Sequence, residues 1–425
     1  MASEHITDSI KSSVKDALRK VGRRPEAKRI SRLMGLSGRS SANVNVGVSN
    51  IPVPGSVAVY FGDGADKIYQ VAQWLPVLEE LHEKEEVLLV FRTLSAFKAA
   101  ERITDLPKIY VRRLTDLMDL YDDNDLKLVI YTNNSRTNFQ SLDHPRLVHV
   151  HVNHGESDKL SMVSNKAKAY DKVFVAGPAA IKRHEAMLID FDFNKLEVTG
   201  RPQLDIDFEL ELDPSDKLDV MYAPTWEGEN EDNNYTSLDK YGVTIVESLL
   251  ENPAWRVIYK PHPRIQTSNT PGVAQSHARI LQMIESANEA GGEHVISEQG
   301  NILAMFESTD ALITDVSSVG LDYLYLHPEN PLVISDRRSN REILHRDAPV
   351  AQACHVVDRD SVMNIRALLN DALTHDSHKD QRIEMRQFYF GDLNRGDSTK
   401  RFQHVVQQLI AERQGKLENF RGWHS

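Results

Sequence analysis

A chain of 425 residues exceeds what one ordinary core organises, so two or three domains of roughly 150 to 200 residues are expected. Its 40% hydrophobic and 26% charged content excludes a disordered chain or a fibre, and no run approaches the roughly 18 apolar residues of a membrane span or forms the apolar core of a signal peptide. The net charge of -12 argues against general nucleic-acid binding, and the single Cys354 excludes an internal disulfide or thiolate cluster and suits the cytoplasm.

The charge is unevenly spread. Residues 1–40 hold ten Lys and Arg against Glu4, Asp8, Asp16 and Glu26, a surplus of six that leaves the remainder at -18. Within them Ile6, Ile10, Val14, Leu18 and Val21 recur at helical spacing, with Lys11, Lys15, Arg19 and Lys20 on other faces. This predicts a basic amphipathic helix. Two roles fit it: attachment to an anionic membrane surface, where each cation near the headgroups contributes about 1 kcal/mol, or docking on the protein's own domain.

From Ser56 onward short apolar runs alternate with longer segments: SVAVYFG, EVLLVFR, KIYVRR, LKLVIYT, RLVHVHVNHG and KVFVAG. A polar stretch around residues 205–217 intervenes, and a second series follows: LDVMYAPTW, WRVIYKPHP, DALITDVSS and PLVISD. Such alternation predicts an α/β protein with two parallel sheets, hence two Rossmann-like domains facing a cleft. The expected division is an extension at 1–50, domains at 51–205 and 206–395, and a closing helix at 396–425. Ligands of open parallel sheets lie beyond the carboxyl ends of the strands, so the residues leaving each run are the candidates.

In the first domain, His149-Val-His-Val-Asn-His154-Gly155 leaves a strand, and Gly155 is expected to permit a tight turn projecting His154 into the cleft. With an unperturbed pKa of about 6.5, His154 suits removal of a proton from an alcohol. His149 and His151 share a strand face, which invites a metal reading, but no third ligand accompanies them. Short Asp-x-Asp spacings at Asp190 to Asp192 and Asp205 to Asp207 are too common to mark a metal. A divalent metal is compatible with this chemistry, and no motif requires one.

In the second domain, Thr225 and Trp226 follow a strand and suit hydrogen bonding and stacking with a nucleotide; Trp226 equally suits the core. Tyr259-Lys260-Pro261-His262-Pro263-Arg264 follows another strand. Lys260 or Arg264 can neutralise phosphate charge, and His262, between two prolines, can donate to a phosphate oxygen or a departing group. Asp315-Val-Ser-Ser-Val-Gly-Leu-Asp322 follows a third. There Ser317 or Ser318 is expected to cap a helix whose free N–H groups and positive end hold a phosphate without a metal.

Together these elements resemble the CDP-glycerol glycerophosphotransferase family of teichoic acid polymerases and primases. The likeness extends from about residue 145 to 405. His154-Gly155 resembles the family's histidine-glycine element, Lys260-Pro-His-Pro its second histidine motif, and Ala223-Pro-Thr-Trp226 a strand end. Asp315-Val-Ser-Ser with Asp322-Tyr323 resembles its aspartate-tyrosine-serine-serine stretch. Gly200-Arg201-Pro202 resembles its glycine-proline-arginine element with the last two residues exchanged, and Phe390 to Ser398, including Arg395, its C-terminal glycine motif. Asn153 and Val316 stand where the family carries tryptophan and tyrosine.

The resemblance implies a GT-B transferase acting in the cytoplasm or peripherally on the inner membrane face in cell-wall or capsule polymer synthesis. It would move glycerol phosphate, or another polyol phosphate, from a CDP-activated donor to the hydroxyl of a polyol-phosphate, glycan or lipid-linked acceptor and release CMP. His154 and His262 are then catalytic. Lys260, Arg264, Ser317, Ser318, Asp322, Thr225, Arg201 and Arg395 bind the donor. A GT-B glycosyltransferase using a nucleotide sugar, or an inactive nucleotide-binding relative, would share the architecture.

Overall fold

The computed structural model describes residue 53 and residues 55–159 and 162–420. The basic amphipathic helix expected in residues 1–40 lies outside them. Thirteen described strands form two wholly parallel sheets. The first contains β1 Val57–Phe61, β2 Val87–Phe91, β3 Lys108–Tyr110, β4 Leu128–Tyr131, β5 Val148–His151, β6 Lys172–Val175 and β7 Leu196–Val198, in the order β3-β2-β1-β4-β5-β6-β7.

The second contains β8 Leu218–Ala223, β9 Trp255–Tyr259, β10 Val295–Ile296, β11 Ala311–Thr314, β12 Leu332–Ser335 and β13 His355–Val357, in the order β10-β9-β8-β11-β12-β13. Every apolar run read from the sequence is a strand. Three short strands, β7, β10 and β13, were not anticipated: two or three residues at or beside a sheet edge carry too little apolar pattern to stand out.

Both faces of each sheet are covered, which is why the central strands read as continuous apolar runs. On β1, Val57, Val59 and Phe61 enter one core while Ala58 and Tyr60 enter the other. On β8, Met221 and Ala223 face one core, Val220 and Tyr222 the opposite one. Each fully buried Val, Leu or Ile contributes roughly 1.5 to 3 kcal/mol, so these layers dominate the stability of both halves.

Strand order reverses between β1 and β4 in the first sheet and between β8 and β11 in the second. These are the points where open parallel sheets hold ligands. The chain then returns to the first half. In the helix Asp397–Asn419, Phe402 packs on Trp74 and Phe174, with ring centroids 5.3 and 5.9 Å apart. The architecture is that of two Rossmann-like domains facing a cleft, the GT-B type.

Candidate active site

The loop leaving β5 carries His154. Its turn is made by Asn153, not by Gly155: Asn153 has φ 55, a left-handed conformation that asparagine tolerates. Its side-chain oxygen accepts from the N–H of His154 at 2.9 Å, and its carbonyl accepts from the indole of Trp74 at 2.6 Å. Gly155 has a different reason to be glycine. A Cβ there would stand 3.1 Å from Cβ of Ser318, the first residue of the helix Ser318–Leu326 in the other domain. A side chain at 155 would push the base loop away from the serine loop.

Across the cleft, Pro261 and Pro263 hold the turn after β9. Nδ1 of His262 accepts from the N–H of Arg264 at 3.2 Å, so in the neutral ring the proton sits on Nε2, free to donate. Burial, reinforced by the charges of Lys159, Arg264, His154 and Lys260, pushes this imidazole down to about 3. It is therefore a neutral donor at physiological pH. The guanidinium of Arg264 lies 3.7 Å from the ring centre of Trp226, a cation–π contact that fixes both, and Trp226 is half-buried at the cleft. Lys260 is buried behind the turn, its ammonium made less basic mainly by desolvation and faced by Glu211 and Glu298.

One ring connects the two histidines. Tyr69, in the short helix Tyr69–Ala72 after β1, meets His154 edge-to-face at 5.8 Å and His262 edge-to-face at 5.8 Å. The candidate base and the candidate phosphate donor, 108 positions apart in sequence, thus flank one side chain. Burial lowers His154 to about 4, with the charges of Arg201 and Lys159 adding to the effect and the carbonyl of Thr132 opposing it. It is an unprotonated imidazole, ready to accept.

At the second switch point, Asp315 is fully buried. Its carboxylate accepts from the N–H of Thr225 at 2.8 Å and of Ser237 at 3.1 Å, which ties the loop after β8 to the loop after β11. Desolvation raises it to about 7 despite those donors. Ser317 occupies the N-cap position, yet its hydroxyl makes no capping bond and lies 3.4 Å from Oγ1 of Thr314. The serine-capped helix expected from the sequence is corrected here: Ser317 holds the cap position, but its hydroxyl faces Thr314 and leaves the helix N–H groups without a side-chain cap.

The remaining expected donor residues are engaged in ion pairs. Arg201 and Asp322 are buried against each other, Nη2 to Oδ1 2.6 Å, so they tie the two domains together beside His154. Arg395 pairs on the exposed surface with Asp207 at 3.0 Å and Glu307 at 3.3 Å. Of the shared-face histidines, His149 uses both ring nitrogens, at 2.8 Å to the hydroxyl of Tyr131 and 2.8 Å to the carbonyl of His144, and His151 lies against the ring of Tyr170 at 5.0 Å. Among the described residues no group of three or more His, Cys, Asp or Glu side chains is arranged to hold a metal.

Sequence reasoning passed over Tyr69 and Lys159. Nothing in the pattern around Tyr69 marks it, but Lys159 lies five residues past His154 on a strand-exit loop, a position that could have been weighed. No helix among the described residues is long and apolar enough to cross a membrane.

Residues 149–335 match the family described as CDP-Glycerol:Poly(glycerophosphate) glycerophosphotransferase. A comparison with curated proteins returns no match. Among solved structures, the wall teichoic acid polymerase TagF aligns with a TM-score of 0.53 at 13% identity, over 96% of this chain and 98% of that one. UDP-GlcNAc 2-epimerase from Neisseria meningitidis, bound to UDP-GlcNAc, aligns with a TM-score of 0.53 at 12% identity, over 84% and 100%. Anabaena HepE, in complex with UDP and glucose, aligns at 0.50 and 10% identity, over 84% and 100%. Such identities establish a common fold. The stretch 149–335 that matches the CDP-glycerol:poly(glycerophosphate) glycerophosphotransferase family carries both histidine turns and the serine loop.

Proposed function

We propose that this protein transfers glycerol phosphate, or a related polyol phosphate, from a CDP-linked donor to an acceptor hydroxyl in wall or capsule polymer synthesis. The observation that carries this is the placement of His154 and His262, from opposite domains, on either side of Tyr69. The nucleotide lies on the second domain, with Thr225 and the Trp226–Arg264 stack beside it and its diphosphate at Nε2 of His262, Ser317, Ser318 and the helix N-terminus. The first domain presents the acceptor.

His154 takes the acceptor's proton as the oxygen attacks the β-phosphorus. The new oxygen–phosphorus bond forms, the bond to the bridging oxygen breaks, and CMP departs with that oxygen's electron pair. His262 and the helix N–H groups meet the charge that develops on the leaving phosphate, and they are in place before reaction begins. A donor diphosphate also offsets the cations around His154, which returns basicity to the imidazole when substrate is present.

The test is CMP release from CDP-glycerol with a lipid-linked acceptor. His154→Ala should cut turnover by about 10²- to 10⁴-fold while sparing donor binding, and release at near wild-type rate would remove the base assignment. UDP release from a UDP donor in the same panel would favour the nucleotide-sugar alternative. We place the acceptor at an anionic membrane face, on the strength of the basic residues within 1–40. Full-length protein should pellet with anionic vesicles, and a form lacking those residues should not.

A further inference from the structure

Lys159 takes no part in the chemistry above, yet its position is unusual. It belongs to the first domain, on the loop that carries His154, while its Nζ lies 3.0 Å from Oγ1 of Thr225 at the end of β8 in the second. The other groups facing it are the ring of Tyr235, 5.8 Å away, the carboxylate of Asp315 and the imidazoles of His154 and His262. Asp315 has its two oxygens engaged by the backbone N–H groups of Thr225 and Ser237. Among the described residues the ammonium of Lys159 makes one hydrogen bond, to Thr225, which leaves two of its three N–H donors without a hydrogen-bond partner there. A half-buried cation with spare donors, at the mouth of an anion site, is arranged for an anionic ligand.

We infer that Lys159 is a catalytic residue that binds the transferred phosphate, the first domain's own contribution to holding the donor. This rests on the donor reading above. The phosphate concerned is the β-phosphate, because Lys159 shares a loop with the base, and the base must stand by the hydroxyl that attacks that phosphorus. The α-phosphate leaves with CMP on the second domain. As the acceptor oxygen bonds to phosphorus and the bridging oxygen departs, the proton passes to His154. Lys159 holds the non-bridging oxygens and exchanges no proton. Donor binding then draws the two domains together through one side chain, which couples occupancy of the nucleotide site to approach of the base.

The experiment compares CMP with CDP, which differ by that one phosphate. Calorimetric affinities of both are measured for the full chain, Lys159→Ala, Lys159→Gln and Lys159→Arg, with a thermal melt of each. Lys159→Ala should weaken CDP by about 10- to 100-fold and CMP by less than about twofold, and Lys159→Arg should recover most of the loss. Equal weakening of both nucleotides would show a structural role at Thr225, and unchanged CDP affinity would remove the lysine from the site; either overturns the inference. Should the alanine variant fail to fold, Lys159→Gln, which can keep a hydrogen bond to Thr225, gives the same contrast. Wild-type protein that binds neither CMP nor CDP sinks the donor reading and this inference with it. Wild-type binding of CDP with an unchanged CDP-to-CMP ratio in the variants sinks the lysine alone.

Discussion

An imidazole acting as base must be unprotonated when its substrate arrives. His154 meets that condition through burial and through the cations of Arg201 and Lys159, which together hold it at about 4 in the free protein. The ammonium of Lys159 titrates at about 8, lowered mainly by desolvation and partly restored by Asp315. His154 is lost as a base only when pH falls through about 4, and Lys159 is lost as a cation when pH rises through about 8. In the pH profile of kcat/KM, which reports the free enzyme, His154 should give no acid limb in the ordinary histidine range of about 6 to 7, where Asp315 beside Lys159 changes charge, and the alkaline side should fall. Lys159→Arg should move the alkaline limb upward. An acid limb at the usual imidazole value that persists in Asp315→Asn would contradict this account of His154.

At the scale of elements, the helix Ser318–Leu326 and the loop before it separate stability from binding. A serine that caps a helix costs roughly 0.5 to 2 kcal/mol when replaced by alanine. Ser317 sits at the cap position without a capping bond, so Ser317→Ala should leave the melting temperature nearly unchanged. Its donor affinity should fall by about tenfold, the value of one hydrogen bond to a charged oxygen. Calorimetry and a melt on the same sample decide between this and an ordinary capping serine. Gly155 works on the same junction from the other side: its missing side chain is what lets the base loop rest against Ser318.

For the whole molecule, the domains are joined by buried polar ties as well as by the returning helix. Arg201 and Asp322 form a buried pair across the boundary, and the hydroxyl of Tyr389 meets Asp158, which Arg183 also holds at 2.8 Å. The N–H of Arg201 donates to Ser398 Oγ at 3.1 Å, at the start of the helix Asp397–Asn419. Removing one member of a buried ion pair strands the other, at a cost of about 3 to 5 kcal/mol. Asp322→Ala should therefore lower stability by that order in chemical denaturation. A variant that lost donor affinity with no loss of stability would show that Asp322 serves the donor site and not the domain tie.

The alternating apolar runs determined by themselves the two parallel sheets, because a strand buried on both faces must be apolar along its length whatever its neighbours. They pointed also to the loops proposed to bear the chemistry, since those are the segments leaving the strands at their carboxyl ends, and His154, His262, Thr225 and Ser317 all lie there. Tertiary structure alone decided what those loops meet. Tyr69 between the histidines, Lys159 on Thr225, and Arg201 turned to Asp322 each join residues tens to more than a hundred positions apart. No local periodicity encodes such pairs. They follow from how two sheets, each specified by its own burial pattern, are set against one another by the close packing of their loops and the returning helix.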